Sequence, residues 1–108
     1  MHIELPETVT RYFELANRGD REAMAALFAP DAVVEDEGQS HAGTAAIRTW
    51  LHEVENRYRP RYQLEAATSA GDVTTVAFVV SGSFPGSPAS LRQAFTLSNG
   101  LISRLTTL

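Results

Sequence analysis

Residues 11–38, RYFELANRGDREAMAALFAPDAVVEDEG, change character twice, and those changes decide how the chain is built. Val9, Tyr12, Phe13 and Ala16 recur at helical spacing, behind a Pro6 that a first helical turn tolerates. Asn17-Arg18-Gly19 ends that helix. Asp20 is placed to cap a second helix, with Glu22 favoured by the dipole in its first turn. Ala23, Met24, Leu27 and Phe28 predict its buried stripe, and Ala29-Pro30-Asp31 stops it. Ala32 to Asp36 then predicts a short strand. Alternation puts Ala32, Val34 and Asp36 on one face and Val33, Glu35 and Glu37 on the other. Both faces carry valine, so the apolar pattern alone leaves open which of the three adjacent acids points inward.

Working outward, Gly43-Thr44 opens a third helix with Thr44 as its expected cap. Ile47, Trp50, Leu51, Val54 and Tyr58 share one of its faces, and Pro60 lies just past its end. Beyond Pro60 the period becomes two. Tyr62 to Thr68 predicts a strand, SAGD a turn, and Val73 to Phe84 the strongest strand in the chain. After the FPGSP loop, SLRQAFTL and LISRLTTL, separated by SNG, complete an antiparallel meander. Helices first and strands after predict an α+β fold in one domain, residues 1–108. The 73–84 strand is apolar on both faces, with Val76, Phe78 and Val80 on one and Ala77 and Val79 on the other. One face is expected to cover the helices and the other to be covered by more of the chain or by a second subunit; little chain remains, so a homodimer is expected.

Composition narrows the chemistry. The 108 residues are 44% hydrophobic and 20% charged, enough for an ordinary core. A formal net charge of -4 argues against nucleic acid as a partner. All nine basic side chains other than histidine are arginine, which excludes Schiff-base lysine chemistry. The absence of cysteine excludes thiolate catalysis and disulfides. The N-terminus is too polar and acidic for a signal peptide, and no apolar run is long enough for a membrane span, so a cytoplasmic protein with no membrane partner is expected. The three histidines are scattered and lack metal-ligand spacing. His2 is read as a mobile terminal residue, His41 as a loop residue near the acids, and His52 as exposed. Arg57, Arg59 and Arg61 read as a solvated basic helix end.

The markers N-x-G-D at 17–20, LFAPDAV at 27–33 and G-x-x-A-I-R at 43–48 resemble the nuclear transport factor 2-like superfamily, in its SnoaL-like and ketosteroid-isomerase-like branch. The similarity extends over most of the chain. It implies a cone: three helices packed into a curved, mixed but mainly antiparallel sheet around a deep apolar pocket. It further implies that Asp36, in V-E-D, is a general base and that Tyr12, in R-Y, donates to an oxyanion. Gln93 falls where such steroid isomerases carry a second donor, an aspartic acid held protonated by an apolar site. Glutamine there is a departure, and the chain also ends earlier than those enzymes at its C-terminus.

On this reading Trp50, Tyr58, Phe78 and Phe95 form an apolar wall for a small cyclic or otherwise apolar molecule. Gln93 shares strand parity with Phe95 and faces inward, while Arg92 faces out. The function that follows is a cofactor-independent isomerase, cyclase or dehydratase acting on a cyclic or polyketide-like carbonyl compound. No metal or cofactor is implied. The alternative is a non-catalytic module that binds a small ligand or dimerises on the same scaffold. Epoxide hydrolysis, which the superfamily also supports, calls for an Asp-Arg-Asp set, and no second inward acid is evident beside Asp36.

Overall fold

A computed structural model of the chain describes residues 4–108. Helix α1 runs Glu7–Arg18 and α2 Arg21–Ala25; strands β1, Phe28–Asp36, and β2, Gln39–Ala42, follow as a hairpin. Helix α3, Thr44–Tyr58, leads into a four-stranded meander of β3 (Arg61–Ala70), β4 (Val73–Ser81), β5 (Ala89–Ser98) and β6 (Leu101–Thr107). The six strands form one sheet in the order β2-β1-β6-β5-β4-β3. Every pairing is antiparallel except β1 with β6. This is the mixed, mainly antiparallel α+β arrangement expected. His2 lies outside the described residues.

The helices are placed by their ends. Gly19 takes the left-handed conformation, φ 74°, and its N–H donates to the Ala16 carbonyl, which closes α1 as only glycine does without strain. Asp20 caps α2 as expected, its carboxylate accepting from the Ala23 N–H at 3.1 Å. Thr44 does not cap α3: Gly43 occupies the cap position and no side chain bonds there.

The second helix is shorter than its apolar stripe predicts. It stops at Ala25, and Phe28 begins β1. The Ile102 N–H donates to the Leu27 carbonyl at 2.9 Å, so Leu27 and Phe28 are drawn into the sheet. Four apolar residues over six positions suit a helix turn or the start of a strand equally well, and pairing with β6 decides it. Pro30 is tolerated within β1 because its position falls in the register shift between Phe28 and Val33, where β1 and β6 are not paired. His41 lies within β2 and not in a loop.

The core sits between the helices and the inner face of the sheet. Val9, Tyr12, Phe13 and Ala16 of α1 are buried against Val76, Phe78 and Val80 of β4 and against Phe95, Ile102 and Leu105. Each such large side chain contributes roughly 1.5–3 kcal/mol on burial. Register shifts at Leu64/Ala66 in β3 and at Thr96/Leu97 in β5 mark where the sheet bends around that core. The opposite face of β4 carries Thr75, Ala77 and Val79, partly exposed.

Candidate functional site

Between α3 and the open end of the sheet lies a cavity of about 400 Å³, the size of a pocket for a small organic ligand. Trp50, Val54 and Tyr58 line it from α3, Tyr62 from β3, Phe78 and Val80 from β4, and Leu91 and Gln93 from β5. Asp36 and Glu37 close it at the tip of β1, and Thr107 lies at the end of β6. Phe84 and Pro85 form a lip. That lip is fixed to the end of α3: the Ser83 N–H donates to the Tyr58 carbonyl at 2.7 Å, and the Phe84 ring meets Tyr58 edge-on.

The three adjacent acids have three different surroundings. Glu35 faces away from the cavity and accepts from Arg104 Nη1 at 2.6 Å. Asp36 lines the cavity, and its Oδ2 accepts from the Trp50 indole Nε1 at 3.2 Å. Glu37 lines it too, although strict alternation groups it with Glu35. The cause is the turn: Glu37 and Gly38 both have positive φ, 51° and 74°, which makes a two-residue hairpin and swings the Glu37 side chain out of strand parity. There its Oε1 accepts from the Tyr58 hydroxyl at 3.2 Å. A second acid therefore stands beside Asp36, contrary to the sequence reading. Arg92 is exposed on the other face, as its parity requires.

Gln93 is buried, 5% exposed, and lines the cavity. Its Nε2 donates to Thr107 Oγ1 at 3.1 Å, while its Oε1 has no hydrogen-bond partner. Of the four expected wall residues, Trp50, Tyr58 and Phe78 line the cavity. Phe95 does not; it is fully buried in the core against Tyr12 and Phe13. Tyr12 is likewise 1% exposed and packs edge-on against Phe13, Phe28 and Phe95, behind the cavity wall. The Tyr12 ring is held in that aromatic cluster and is not among the residues lining the cavity, while its hydroxyl is within electrostatic reach of Tyr62, Arg21 and Asp36.

The phenol that does border the cavity is Tyr62, which the sequence reading treats only as a strand residue. Its backbone is clamped to the end of α1, where Asn17 Oδ1 accepts from the Tyr62 N–H at 2.7 Å and Asn17 Nδ2 donates to its carbonyl at 2.9 Å. Its ring packs edge-on against Phe13 and Phe78. Burial pushes the Tyr62 hydroxyl up to about 12, with Arg21 pulling the other way and Asp36 and Glu55 reinforcing the rise. Burial also raises Tyr12 well above the ordinary phenol range, again with Arg21 opposing.

Arg21 is therefore a buried cation behind the two phenols. Its Nη2 donates to Glu55 Oε1 at 2.7 Å, and its Nε has no acceptor. Arg61 pairs with the same carboxylate at 3.3 Å, so one of the three arginines read as a solvated patch is engaged. Burial would raise Glu55, but hydrogen bonds from Arg21 and Arg61 outweigh it and hold its carboxyl below the usual range. His41 lies near the Trp50 ring, and exposed His52 pairs with Glu22 at 2.6 Å. Among the described residues no three His, Asp or Glu side chains converge as a metal site would require. None of the described helices is long and apolar enough to cross a membrane.

A curved sheet wrapped over three helices, with one polar-tipped apolar cavity at its open end, defines the nuclear transport factor 2-like class of fold. Residues 9–105 match the SnoaL-like domain family, and the chain belongs to it. Among solved structures it is similar to a candidate polyketide cyclase from Sinorhizobium meliloti, with 40% identity, a TM-score of 0.93, and 96% of this chain and 95% of that one covered. A candidate polyketide cyclase from Xanthomonas campestris is 27% identical, with a TM-score of 0.80 over 93% of this chain and 85% of that one. An NTF2-like protein of unknown function from Cytophaga hutchinsonii shares the fold at 11% identity, with a TM-score of 0.82 over 100% of this chain and 91% of that one. No curated protein matches the chain significantly.

Proposed function

We propose that this protein is a cofactor-independent isomerase or cyclase acting on a cyclic or polyketide-like carbonyl compound, with Asp36 as the general acid/base. The observation that carries this reading is the setting of Asp36. It stands at the edge of an apolar cavity of ligand size, one carboxylate oxygen tied to Trp50 and the other left for a substrate proton. The resemblance to candidate polyketide cyclases supports the reaction class.

The chemistry is a proton transfer. Asp36 takes a proton from carbon next to the substrate carbonyl, and the electron pair moves onto the carbonyl oxygen as an enolate. The proton then returns to a different atom, or the enolate carbon closes a ring by attacking a second carbonyl, whose oxygen takes the proton. A positioned base contributes roughly 10²–10⁴ in rate. The enolate oxygen needs a donor. Tyr62 has the place for that role, because it borders the cavity and its hydroxyl is kept protonated. Tyr12, the donor implied by resemblance, acts from behind as support for Tyr62. Gln93, implied by resemblance as a second donor, spends its Nε2 on Thr107 and is left out of the donor set in this reading.

A second reading, ligand binding without catalysis, is favoured by the burial of Tyr12 behind the wall. The two separate on one assay. The isomerase/cyclase reading predicts that the protein speeds deuterium exchange at the α-carbon of 2-tetralone, an uncharged probe ketone; the binding reading predicts occupancy of the cavity with no acceleration.

A homodimer also remains our proposal, through the outer face of β4, where Ala77 and Val79 are incompletely covered. Light scattering at micromolar concentration should give twice the chain mass, and a monomer would contradict it.

A further inference from the structure

The charges around the cavity are unbalanced. Asp36 and Glu37 both line it, and neither takes part in an ion pair; each is held by a neutral aromatic donor, Trp50 or Tyr58. Their neighbour Glu35, outside the cavity, is paired with Arg104. No arginine or histidine is among the residues lining this cavity. Arg21, behind the wall, is paired with Glu55, while Arg57 and His41 line a separate, smaller cleft on the outer side of Asp36 and Glu37, where exposed Arg57 lies against the Tyr58 ring and acts on Glu37 from solvent. An independent observation comes from β5, where the buried Oε1 of Gln93 is a third acceptor with no donor. The remaining walls are largely aromatic, including Trp50, Tyr58, Tyr62 and Phe84.

We propose that the cavity selects a ligand bearing a protonated or quaternary amine, its cationic nitrogen held at the Asp36–Glu37 end against the aromatic wall. This rests on the reading of the cavity as the ligand site and adds the substrate's charge. Carboxylates supply the attraction, and aromatic rings solvate an alkylammonium group without the hydration it loses on entry. Inside the cavity a carboxylate or phosphate ligand meets two carboxylates and no lining cation, since Arg57 acts on Glu37 only from the outer cleft. A protonated amine also has N–H donors to offer the Asp36 and Glu37 carboxylates, and Gln93 Oε1 where a ligand shifts that side chain, whereas a quaternary amine relies on charge and rings alone.

The test compares two compounds of matched shape, 3-hydroxyphenyltrimethylammonium and 3-tert-butylphenol, which differ in charge. Trp50 is the single tryptophan, so its indole N–H gives a unique NMR signal at the cavity. The ammonium compound should bind about tenfold more tightly than its neutral isostere. Glu37→Gln, at an exposed turn where the fold is not at risk, should cut that advantage by roughly threefold. Asp36→Asn combined with Glu37→Gln should abolish it, while binding of the neutral compound to the same variant reports that the cavity is intact. Equal or tighter binding of 3-tert-butylphenol to the unaltered protein would overturn the charge selection and leave the cavity as a ligand site. If neither compound moves the indole signal, the cavity reading falls with it.

Discussion

The Trp50 indole N–H donates to Asp36 Oδ2 across 3.2 Å and joins the middle of α3 to the tip of β1. The bond leaves Oδ1 as the carboxylate oxygen for a substrate and fixes the plane in which it is presented. A hydrogen bond to a charged acceptor is worth about 1.5–3 kcal/mol. Trp50→Phe should therefore slow exchange at the 2-tetralone α-carbon by about tenfold. Trp50→His, which retains a ring N–H, should recover part of that loss. Equal rates in the two variants, measured by deuterium NMR, would remove Trp50 from the positioning of Asp36.

Arg21 and Glu55 form a pair in which the cation is buried and the anion mostly so, with side-chain exposures of 2% and 21%. Glu55→Gln leaves the guanidinium buried without a counter-charge and should destabilise the fold by roughly 3 kcal/mol. The pH dependence has a definite sign. The folded-state carboxyl of Glu55 is held below its usual range, so its contribution is present above the unfolded carboxylate pKa and is lost as pH falls through the folded one. Urea midpoints of the unaltered protein should drop below about pH 4.5, and the Glu55→Gln variant should show a smaller drop.

Tyr62 gives the opposite dependence. Its hydroxyl is raised to about 12, so the folded state keeps a proton that the unfolded chain releases near pH 10. The contribution of Tyr62 is fully present below about pH 10 and is lost as pH rises through the folded value. Tyr62→Phe should reduce the alkaline loss seen in chemical denaturation. In the exchange assay Tyr62→Phe should also cost more than Tyr12→Phe, since only Tyr62 borders the cavity.

Much of this was legible from sequence, for identifiable reasons. Three helices, the meander and the inward placement of Gln93 rest on long periodic runs and on strand parity, whereas parity leaves Asp36 open and its inward placement rests on chemistry and the family resemblance. The extent of the second helix is not legible in sequence because Leu27 and Phe28 fit two periods at once, and only their pairing with β6 resolves it. Alternation puts Glu37 on the outer face, but it does not extend through a residue whose φ is 51°. Tyr62 had a usable signal: it pairs with Val80 and Leu64 pairs with Phe78, on the apolar face of the strongest strand. Arg21 had none. Its partner Glu55 is distant in sequence, and a charged residue beside a helix cap ordinarily faces water.

Gly82 sets the lip of the cavity. A Cβ there would overlap the Tyr58 carbonyl oxygen, where the chain passes the end of α3. Gly82→Ala should displace the segment carrying Phe84 and Pro85 and destabilise the fold by about 1–3 kcal/mol. A thermal unfolding curve unchanged from the parent would contradict the close approach.

The role of Asp36 is tested most directly by Asp36→Asn, which keeps the shape and removes the base. Deuterium uptake at the α-carbon of 2-tetralone should fall by at least about 100-fold. Binding of the ketone, followed by the Trp50 indole signal, should remain. Uptake at the parent rate in Asp36→Asn would contradict Asp36 as the acid/base.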